Sequence, residues 1–180
     1  MAPRLHRVVL GGDARHRHGT HRRNAWLTPS PFVEEIRTAF GGTVDLDPCT
    51  ETTNPTGARR FYTAADDGLR RRWRGRIFVN PPYSPLEPWI DKAIAEARRG
   101  ARIYMLVPVR TDAVYHQRLL AAATDVVFLR GRLRFTQADG AASSGPAAFG
   151  SMVVGLGIST LPLSHLGRVL VHPQLHDRAA

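Results

Sequence analysis

The sequence predicts an α/β domain in which a mostly parallel sheet is flanked by helices. Residues 76–79 and 103–107 are largely apolar runs of strand length, which is typical of strands buried on both faces. Between these runs, residues 85–99 carry apolar side chains at helical spacing, and Gly100 ends the pattern. A strand, a helix and a second strand in this order form a right-handed βαβ unit whose strands lie parallel.

The other elements are predicted from shorter signals. A helix opened by a proline and capped by Thr28 or Ser30 runs to Phe40, and residues 43–48 form a short strand that a proline ends. The polar stretch that follows, up to Trp73, is a long loop, and long loops in compact domains are usually functional. Further along the chain we predict a helix at 112–123, strands at 126–129 and 149–156, and a short helix at 162–170.

The chain of 180 residues has the length of a single domain. We divide it into a basic N-terminal arm at 1–25, the domain itself at 26–172 and a C-terminal tail at 173–180. The arm contains three closely spaced histidines, but no cysteine or well-spaced carboxylate completes a set of metal ligands. We therefore expect no metal, and a solvated arm that can contact a polyanion.

The charge of the chain predicts a nucleic-acid partner. The net charge is +10, and of the 25 lysine and arginine residues only Lys92 is a lysine. Arginine binds phosphate bidentately and stacks on bases, although a GC-rich genome produces the same preference over lysine. The single cysteine, Cys49, excludes an internal disulfide and fits a reducing compartment. No apolar run spans a bilayer and no secretory signal is present, so we expect a cytoplasmic protein.

The most informative motif is Asn80-Pro81-Pro82-Tyr83, which directly follows the first predicted buried strand. Ligands of open α/β sheets bind at the carboxyl ends of the strands. Two prolines fix the backbone there, so a rigid turn presents the Asn80 amide and nearby carbonyls. The amide oxygen of Asn80 and a backbone carbonyl directed at the same point would accept hydrogen bonds from an amino group, which loses hydrogen as its nitrogen attacks. The ring of Tyr83 offers a flat face on which a base can stack. The alternative is a proline-rich turn that only ends a strand.

Five motifs together make the sequence similar to phage-type DNA N-6-adenine methyltransferases, which are Dam-like enzymes. In chain order they are Trp26-Leu27-Thr28-Pro29, Asp45-Leu46-Asp47-Pro48, Asp66-Asp67-Gly68-Leu69 with Trp73, Asn80-Pro81-Pro82-Tyr83, and Arg130-Gly131-Arg132-Leu133-Arg134-Phe135. The similarity covers residues 26–156. It implies a reduced Rossmann-like fold that binds S-adenosylmethionine at the strand ends and flips a target base into the site.

The resemblance also implies roles for individual residues. It assigns catalysis to Asn80, Pro81, Pro82 and Tyr83. It assigns cofactor binding to Trp26, Thr28, Pro29, Asp47, Pro48, Asp67 and Asn80. Within that set, Thr28-Pro29 matches a segment near the methionine part of the cofactor, and Asp67 matches the acid that accepts a hydrogen bond from the adenine amino group of the cofactor. A helix cap at Thr28 and turn aspartates at the other positions are the alternatives.

One segment departs from the family pattern. After Pro48, residues 49–54 replace the expected Gly-x-Gly turn, which predicts a shortened sheet. No ribose-binding acid is assigned, and Glu51 is a candidate. Pro48-Cys49 also imitates the proline-cysteine pair of cytosine carbon-5 methyltransferases, but an exocyclic amine needs no thiolate attack, so we interpret Cys49 as structural.

Four arginines are predicted to contact DNA. Arg110 follows a strand at the same edge as Asn80, and Arg130, Arg132 and Arg134 alternate along an extended segment. They can hold phosphates or recognise guanine edges, or they are solvated surface.

The resemblance, together with the Asn80 motif, implies an S-adenosylmethionine-dependent methyltransferase, encoded by a phage or prophage, that acts on the N6 amino group of adenine in DNA. Cytosine N4, an RNA adenine or a protein glutamine also suits an amide-accepting turn. A catalytically inactive relative that only binds DNA is the alternative from another class, and the missing glycine turn favours it.

Overall fold

The computed structural model describes residues 26–137 and 145–171, so the predicted arm at 1–25 and tail at 173–180 lie outside the described residues. Within those ranges the helices are α1 Ser30–Ala39, α2 Glu87–Ala97 and α3 Val114–Ala122, with short 3-10 helices at Gly68–Arg70 and Leu161–Leu166. The strands are β1 Trp26–Leu27, β2 Leu46–Asp47, β3 Arg60–Phe61, β4 Arg76–Val79, β5 Arg102–Pro108, β6 Asp125–Leu129, β7 Thr136–Gln137, β8 Ser151–Leu156 and β9 Gly167–Val171. No helix among these residues is long and apolar enough to cross a membrane.

Seven strands form one mixed sheet in the order β3-β2-β4-β5-β8-β6-β9. The half from β3 to β5 is parallel, and the predicted pairing of β4 with β5 is confirmed, with Ile77 opposite Ile103. The half from β5 to β9 is antiparallel and contains the longer ladders. The prediction of a mostly parallel sheet is therefore wrong for this half. Strand β8 is buried along its whole length, so it takes a central place between β5 and β6.

The sheet is covered on both faces, and this explains the continuous apolar runs. In β4, Ile77 and Val79 pack with Ile90 of α2, whereas Phe78 packs with Ile36 of α1 on the other face. Successive side chains of a strand point to opposite faces, so a strand covered on both faces needs apolar residues at every position.

Two predicted elements differ in the structure. The N-cap of helix α1 is Pro29, whose side chain has no acceptor, so neither Thr28 nor Ser30 caps the helix as predicted, and Thr28 bonds Asn80 instead. The predicted helix at 162–170 is a 3-10 helix only to Leu166, and the following residues form β9. A Cβ at Gly167 would lie 1.9 Å from the Phe128 carbonyl oxygen, so glycine lets the chain approach β6 and complete the edge of the sheet.

Candidate active site

The carboxyl ends of β2 and β4 bring the predicted site residues together. These strands are parallel neighbours, so Asp47 and Asn80 leave the sheet at the same edge, which we call the carboxyl edge. Cys49 links the two strand ends, because its side chain accepts a hydrogen bond from the backbone of Asn80. The predicted placement of both residues at one strand-end edge is confirmed.

The side-chain amide of Asn80 is held at both ends. Its Nδ2 donates to Oγ1 of Thr28 over 3.1 Å, and the Tyr83 hydroxyl donates to its Oδ1, also over 3.1 Å. Thr28 is only 6% exposed and follows β1, far from Asn80 in the chain. The Thr28 hydroxyl therefore hydrogen-bonds the predicted catalytic amide rather than capping α1.

Tyr83 is packed by aromatic side chains. Its ring makes edge contacts with Phe135 and Phe149, at centroid distances of 6.3 and 5.5 Å. Burial raises the pKa of Tyr83 well above its ordinary value, with a further contribution from Cys49, so the hydroxyl keeps its proton and remains a donor. Beside this ring the motif's prolines complete the turn, with Pro81 buried and Pro82 half-buried.

Asp47 is buried and holds the loop that follows it. Its Oδ1 accepts the Cys49 N–H over 3.1 Å, its Oδ2 accepts the Thr56 hydroxyl over 2.9 Å, and the Thr50 side chain also hydrogen-bonds to it. Burial outweighs these hydrogen bonds and raises the pKa of Asp47 to about 6. The sequence analysis missed Thr50 and Thr56, although the threonine-rich segment 50–56 was the available signal.

The Cys49 thiol has a raised pKa. Burial contributes most, the Asp47 carboxylate adds to it, and the hydrogen bond from the Asn80 backbone opposes both. A thiol that stays protonated is a weak nucleophile, which favours the structural interpretation of Cys49.

The adjacent aspartates Asp66 and Asp67 have different environments. Asp66 accepts the backbone N–H of Thr63 over 2.9 Å and its hydroxyl over 2.8 Å; the first of these contributes most to lowering the pKa of Asp66. The Asp67 carboxylate is exposed and makes no hydrogen bond within the described ranges 26–137 and 145–171. Of the two, Asp67 is thus the one available to a ligand.

Gly68 fixes the position of Asp67 against the end of β2. A Cβ at Gly68 would lie 1.9 Å from the Pro48 carbonyl oxygen, so only glycine allows this approach. The Gly68 carbonyl accepts the indole N–H of Trp73 over 2.9 Å, and Trp73 is in the core. The spacing of Asp67, Gly68 and Trp73 therefore has a structural basis, which is to hold this loop at the carboxyl edge.

The four predicted DNA-binding arginines are all exposed, but they lie on separate segments. Arg110 follows β5, whereas Arg130, Arg132 and Arg134 follow β6, and β8 separates these two strands. Leu133 and Phe135 face the core, so exposed and covered side chains alternate from Arg132 to Phe135, whereas Gly131 is exposed like Arg130 and Arg132. The segment itself is not a strand until β7, which pairs with β1 to form a two-stranded ribbon. We call this pair the β1–β7 ribbon.

Ion pairs occupy the opposite edge of the sheet, where β4 and β5 begin. Asp45 accepts Nε and Nη2 of Arg76 over 3.0 and 3.2 Å, and the Arg76 side-chain bond is the largest cause of a lowered pKa at Asp45. Near the end of α2, the buried Glu96 pairs with Lys92 at 2.7 Å, and Arg99 and Arg72 lie within 4 Å. Burial alone would raise the pKa of Glu96, but these cations together lower it. We call this the amino edge.

The described residues contain no group of three or more His, Cys, Asp or Glu side chains that could hold a metal ion. Trp26 and Pro29, the other predicted cofactor residues, are placed by the backbone. Trp26 pairs with Gln137 in the β1–β7 ribbon, and the Pro29 carbonyl accepts the first N–H groups of α1.

Comparison with known proteins identifies the family. A relative from Escherichia phage T1, described as a DNA N-6-adenine-methyltransferase, is 26% identical over 113 residues, which are 62% of this chain and 47% of the relative. The chain thus spans less than half the length of that relative. The model of the DNA N-6-adenine-methyltransferase (Dam) family matches residues 17–166, and the chain therefore belongs to this family.

Proposed function

We propose that the protein transfers a methyl group from S-adenosylmethionine to the N6 amino group of adenine in DNA. Family membership supports the reaction, and one observation carries its assignment to this site. The Asn80 amide lies at the end of a buried parallel strand, held by Thr28 and Tyr83. A buried, oriented amide in this position suits an exocyclic amino group that donates hydrogen bonds.

In this proposal the site positions the reactants and supplies no strong base, so the proton that the amino nitrogen loses on methylation passes to water. The adenine amino lone pair is delocalised into the ring, so the nitrogen becomes nucleophilic only as it pyramidalises. Acceptors at Asn80 Oδ1 and the Pro81 carbonyl favour that geometry in the transition state. Cys49 and Tyr83 have raised pKa values and stay protonated, and both carboxylate oxygens of Asp47 are already bonded.

We assign the cofactor to the space between the ends of β2 and β4. The free Asp67 carboxylate beside Pro48 suits the adenine amino group of the cofactor, and the segment 26–29 reaches Asn80 through Thr28. Asp47 contributes by holding residues 49–56 in place of a glycine turn. When bound, S-adenosylmethionine supplies the electrophilic methyl group. The mixed sheet is, on this assignment, a reduced Rossmann-like methyltransferase sheet.

We further propose that DNA lies along the carboxyl edge, where Arg110 and the arginines at 130, 132 and 134 are exposed. The target adenine must leave the double helix, because its amino group is otherwise paired. The basic arm at 1–25 adds contacts that do not depend on base sequence. The reaction would take place in the cytoplasm of a bacterial host cell.

Product analysis tests the proposal. The protein is incubated with methyl-labelled cofactor and, separately, with double-stranded DNA, single-stranded DNA, RNA or a glutamine peptide, and the labelled product is identified by nucleoside or peptide analysis. We expect N6-methyladenine in DNA. N4-methylcytosine, or label in RNA or peptide, would contradict the assigned substrate. DNA binding with no transfer and no cofactor binding at millimolar concentration would show an inactive relative.

A further inference from the structure

The orientation of Asn80 needs a structural cause. An asparagine amide has an acceptor at one end and donors at the other, and only the acceptor suits an amino group. Rotation of this amide about χ2 has no steep staggered minima, so the torsional preference of the side chain restrains the amide only weakly. The surrounding groups must therefore fix it.

Thr28 is one of the two hydroxyl groups that bond this amide. Its Oγ1 accepts a hydrogen bond from Nδ2 over 3.1 Å, while Oδ1 accepts a hydrogen bond from the Tyr83 hydroxyl. Thr28 is almost fully buried, so water cannot easily replace it as the partner of Nδ2. Loss of the Thr28 hydroxyl would remove this hydrogen bond and with it one of the two hydroxyl contacts that restrain the rotation of the amide.

The β1–β7 ribbon sets the position of Thr28. Leu27 pairs with Thr136, so Thr28 directly follows a residue that is tied to β7. The residue before β7, Phe135, contacts the Tyr83 ring. The ribbon therefore supports both partners of the Asn80 amide.

We propose that Thr28 is a positioning residue, whose hydroxyl, held by the β1–β7 ribbon, restrains the rotation of the Asn80 amide and so keeps it in place for the target amino group. This inference rests on the proposed function. It differs from the role implied by the family resemblance, in which this segment lies near the cofactor, because the hydroxyl acts through Asn80.

The test compares Thr28→Val, which keeps the shape and removes the hydroxyl, with Thr28→Ser, which keeps the hydroxyl. Single-turnover methylation is measured at saturating cofactor and DNA, and cofactor Kd by calorimetry. We expect Thr28→Val to reduce the rate about 10–100-fold, since a small misplacement of a catalytic group has effects of this size. The cofactor Kd should change less than about threefold, and Thr28→Ser should restore most of the rate. Ser159→Ala is the control, because it removes a hydroxyl bonded to Asp125 and leaves Asn80 untouched.

A double-mutant cycle separates positioning from general structure. If Thr28 acts through Asn80, Thr28→Val should have almost no further effect in an Asn80→Ala background. An equal loss in both backgrounds, or a loss that appears mainly as a raised cofactor Kd, would overturn the proposal. Melting curves identify a variant that fails to fold, in which case Thr28→Ala takes its place.

A second readout does not depend on activity. The Asn80 side-chain NH₂ signals are assigned in the NMR spectrum by their absence from Asn80→Ala. In Thr28→Val we expect faster hydrogen exchange of these protons, and in Thr28→Ser exchange like the wild type. Unchanged exchange in Thr28→Val would contradict the proposal. A wild-type protein without methylation would instead contradict the proposed function, and the exchange data would still decide the role of Thr28.

Discussion

Asp45 and Asp47 are two residues apart, yet they belong to two different electrostatic environments. Asp45, at the amino edge, is paired with Arg76, and this bond lowers its pKa. Asp47, at the carboxyl edge, accepts hydrogen bonds only from an N–H group and hydroxyls among the residues that the structure describes, and burial raises its pKa to about 6. The same residue type is therefore neutralised by a cation at one edge and left without one at the other.

On the proposed function, this difference separates an edge that stabilises the fold from an edge that binds the cofactor. Guanidinium groups at the amino edge compensate carboxylates and join α2 and β4 to their neighbours. S-adenosylmethionine carries a sulfonium and an ammonium group, and a fixed arginine beside it would repel both. A carboxyl edge whose hydrogen-bond donors to Asp47 are uncharged suits such a ligand. The arginines predicted to contact DNA are exposed on loops beyond the strand ends.

The largest effect should come from exchanging one residue at each edge. Asn80→Ala should reduce turnover by about 10²–10³, the scale for losing one preorganised polar partner, with most of the DNA affinity retained. Arg76→Met should lower the melting temperature, because it leaves Asp45 without its cation, and should leave turnover of the folded protein unchanged. The measurements are single-turnover methylation and thermal melting. Near-normal methylation by Asn80→Ala would remove the basis for assigning function to the carboxyl edge.

The second prediction uses pH to distinguish the two aspartates. The folded-state pKa of Asp47 is about 6 and the ordinary pKa of an aspartate is 3.8, so the native state binds the proton more tightly than the unfolded state does. Its contribution to stability is therefore present at low pH and is lost as pH rises from about 4 to about 6, by about 3 kcal/mol at 1.36 kcal/mol per unit. Asp47→Asn should remove this loss. Asp45 has a lowered pKa, so Asp45→Asn should leave this pH window unchanged.

Urea denaturation between pH 4.5 and 7.5 measures this difference. His116 acts in the opposite direction, because burial lowers its pKa and its contribution to stability is lost as pH falls below about 6.5. The comparison is therefore made between each variant and the wild type, in which the His116 contribution cancels. Equal pH profiles for Asp47→Asn and the wild type would contradict the environment that we describe for Asp47.

The two edges also differ in how far the sequence predicts them. The strand-end placement of Asn80 and the β4–α2–β5 unit follow from apolar periodicity and from the direction of parallel strands, which are local properties. The ion pairs of Arg76 with Asp45 and of Arg72 with Glu96 join segments far apart in the chain, and no local pattern predicts them. The place of β8 depends on which strand is most completely buried, which is a property of the whole sheet.

The bond between Thr28 and Asn80 was missed for a related reason. The pattern of the chain around Thr28 favours a helix cap, since a threonine precedes a helical run. The β1–β7 ribbon instead carries this residue to Asn80, and that ribbon consists of two residues on each strand. Pairing this short leaves no periodic signal in the sequence.

The third prediction compares the neighbours Asp66 and Asp67. Asp67→Ala should weaken the binding of S-adenosylmethionine by about 1–3 kcal/mol, which is the scale of a buried hydrogen bond left unmade. The stability of the protein should change little. Asp66→Ala removes the hydrogen bonds to Thr63, so it should loosen the loop. It should reduce the affinity for the cofactor less than Asp67→Ala does. Calorimetric titration of the cofactor with both variants measures this. A larger loss for Asp66→Ala would show that the loop, and not the Asp67 carboxylate, determines the affinity.

The smallest expected effect is on the salt dependence of DNA binding, and it tests whether DNA contacts one edge or both. Each phosphate contact adds about one to the slope of log K against log salt. Arg132→Gln and Arg134→Gln should each reduce that slope by about 1 and weaken the binding of all DNA sequences equally. Replacing an arginine that recognises a base would instead relax the base preference at one position of the recognition site. Arg98→Gln and Arg102→Gln are the matched controls, because both are exposed arginines at the amino edge. Equal slopes for the wild type and all four variants would assign these arginines to solvated surface. An equal reduction at both edges would mean that DNA also contacts the amino edge, and the separation between a stabilising edge and a DNA-binding edge would not hold.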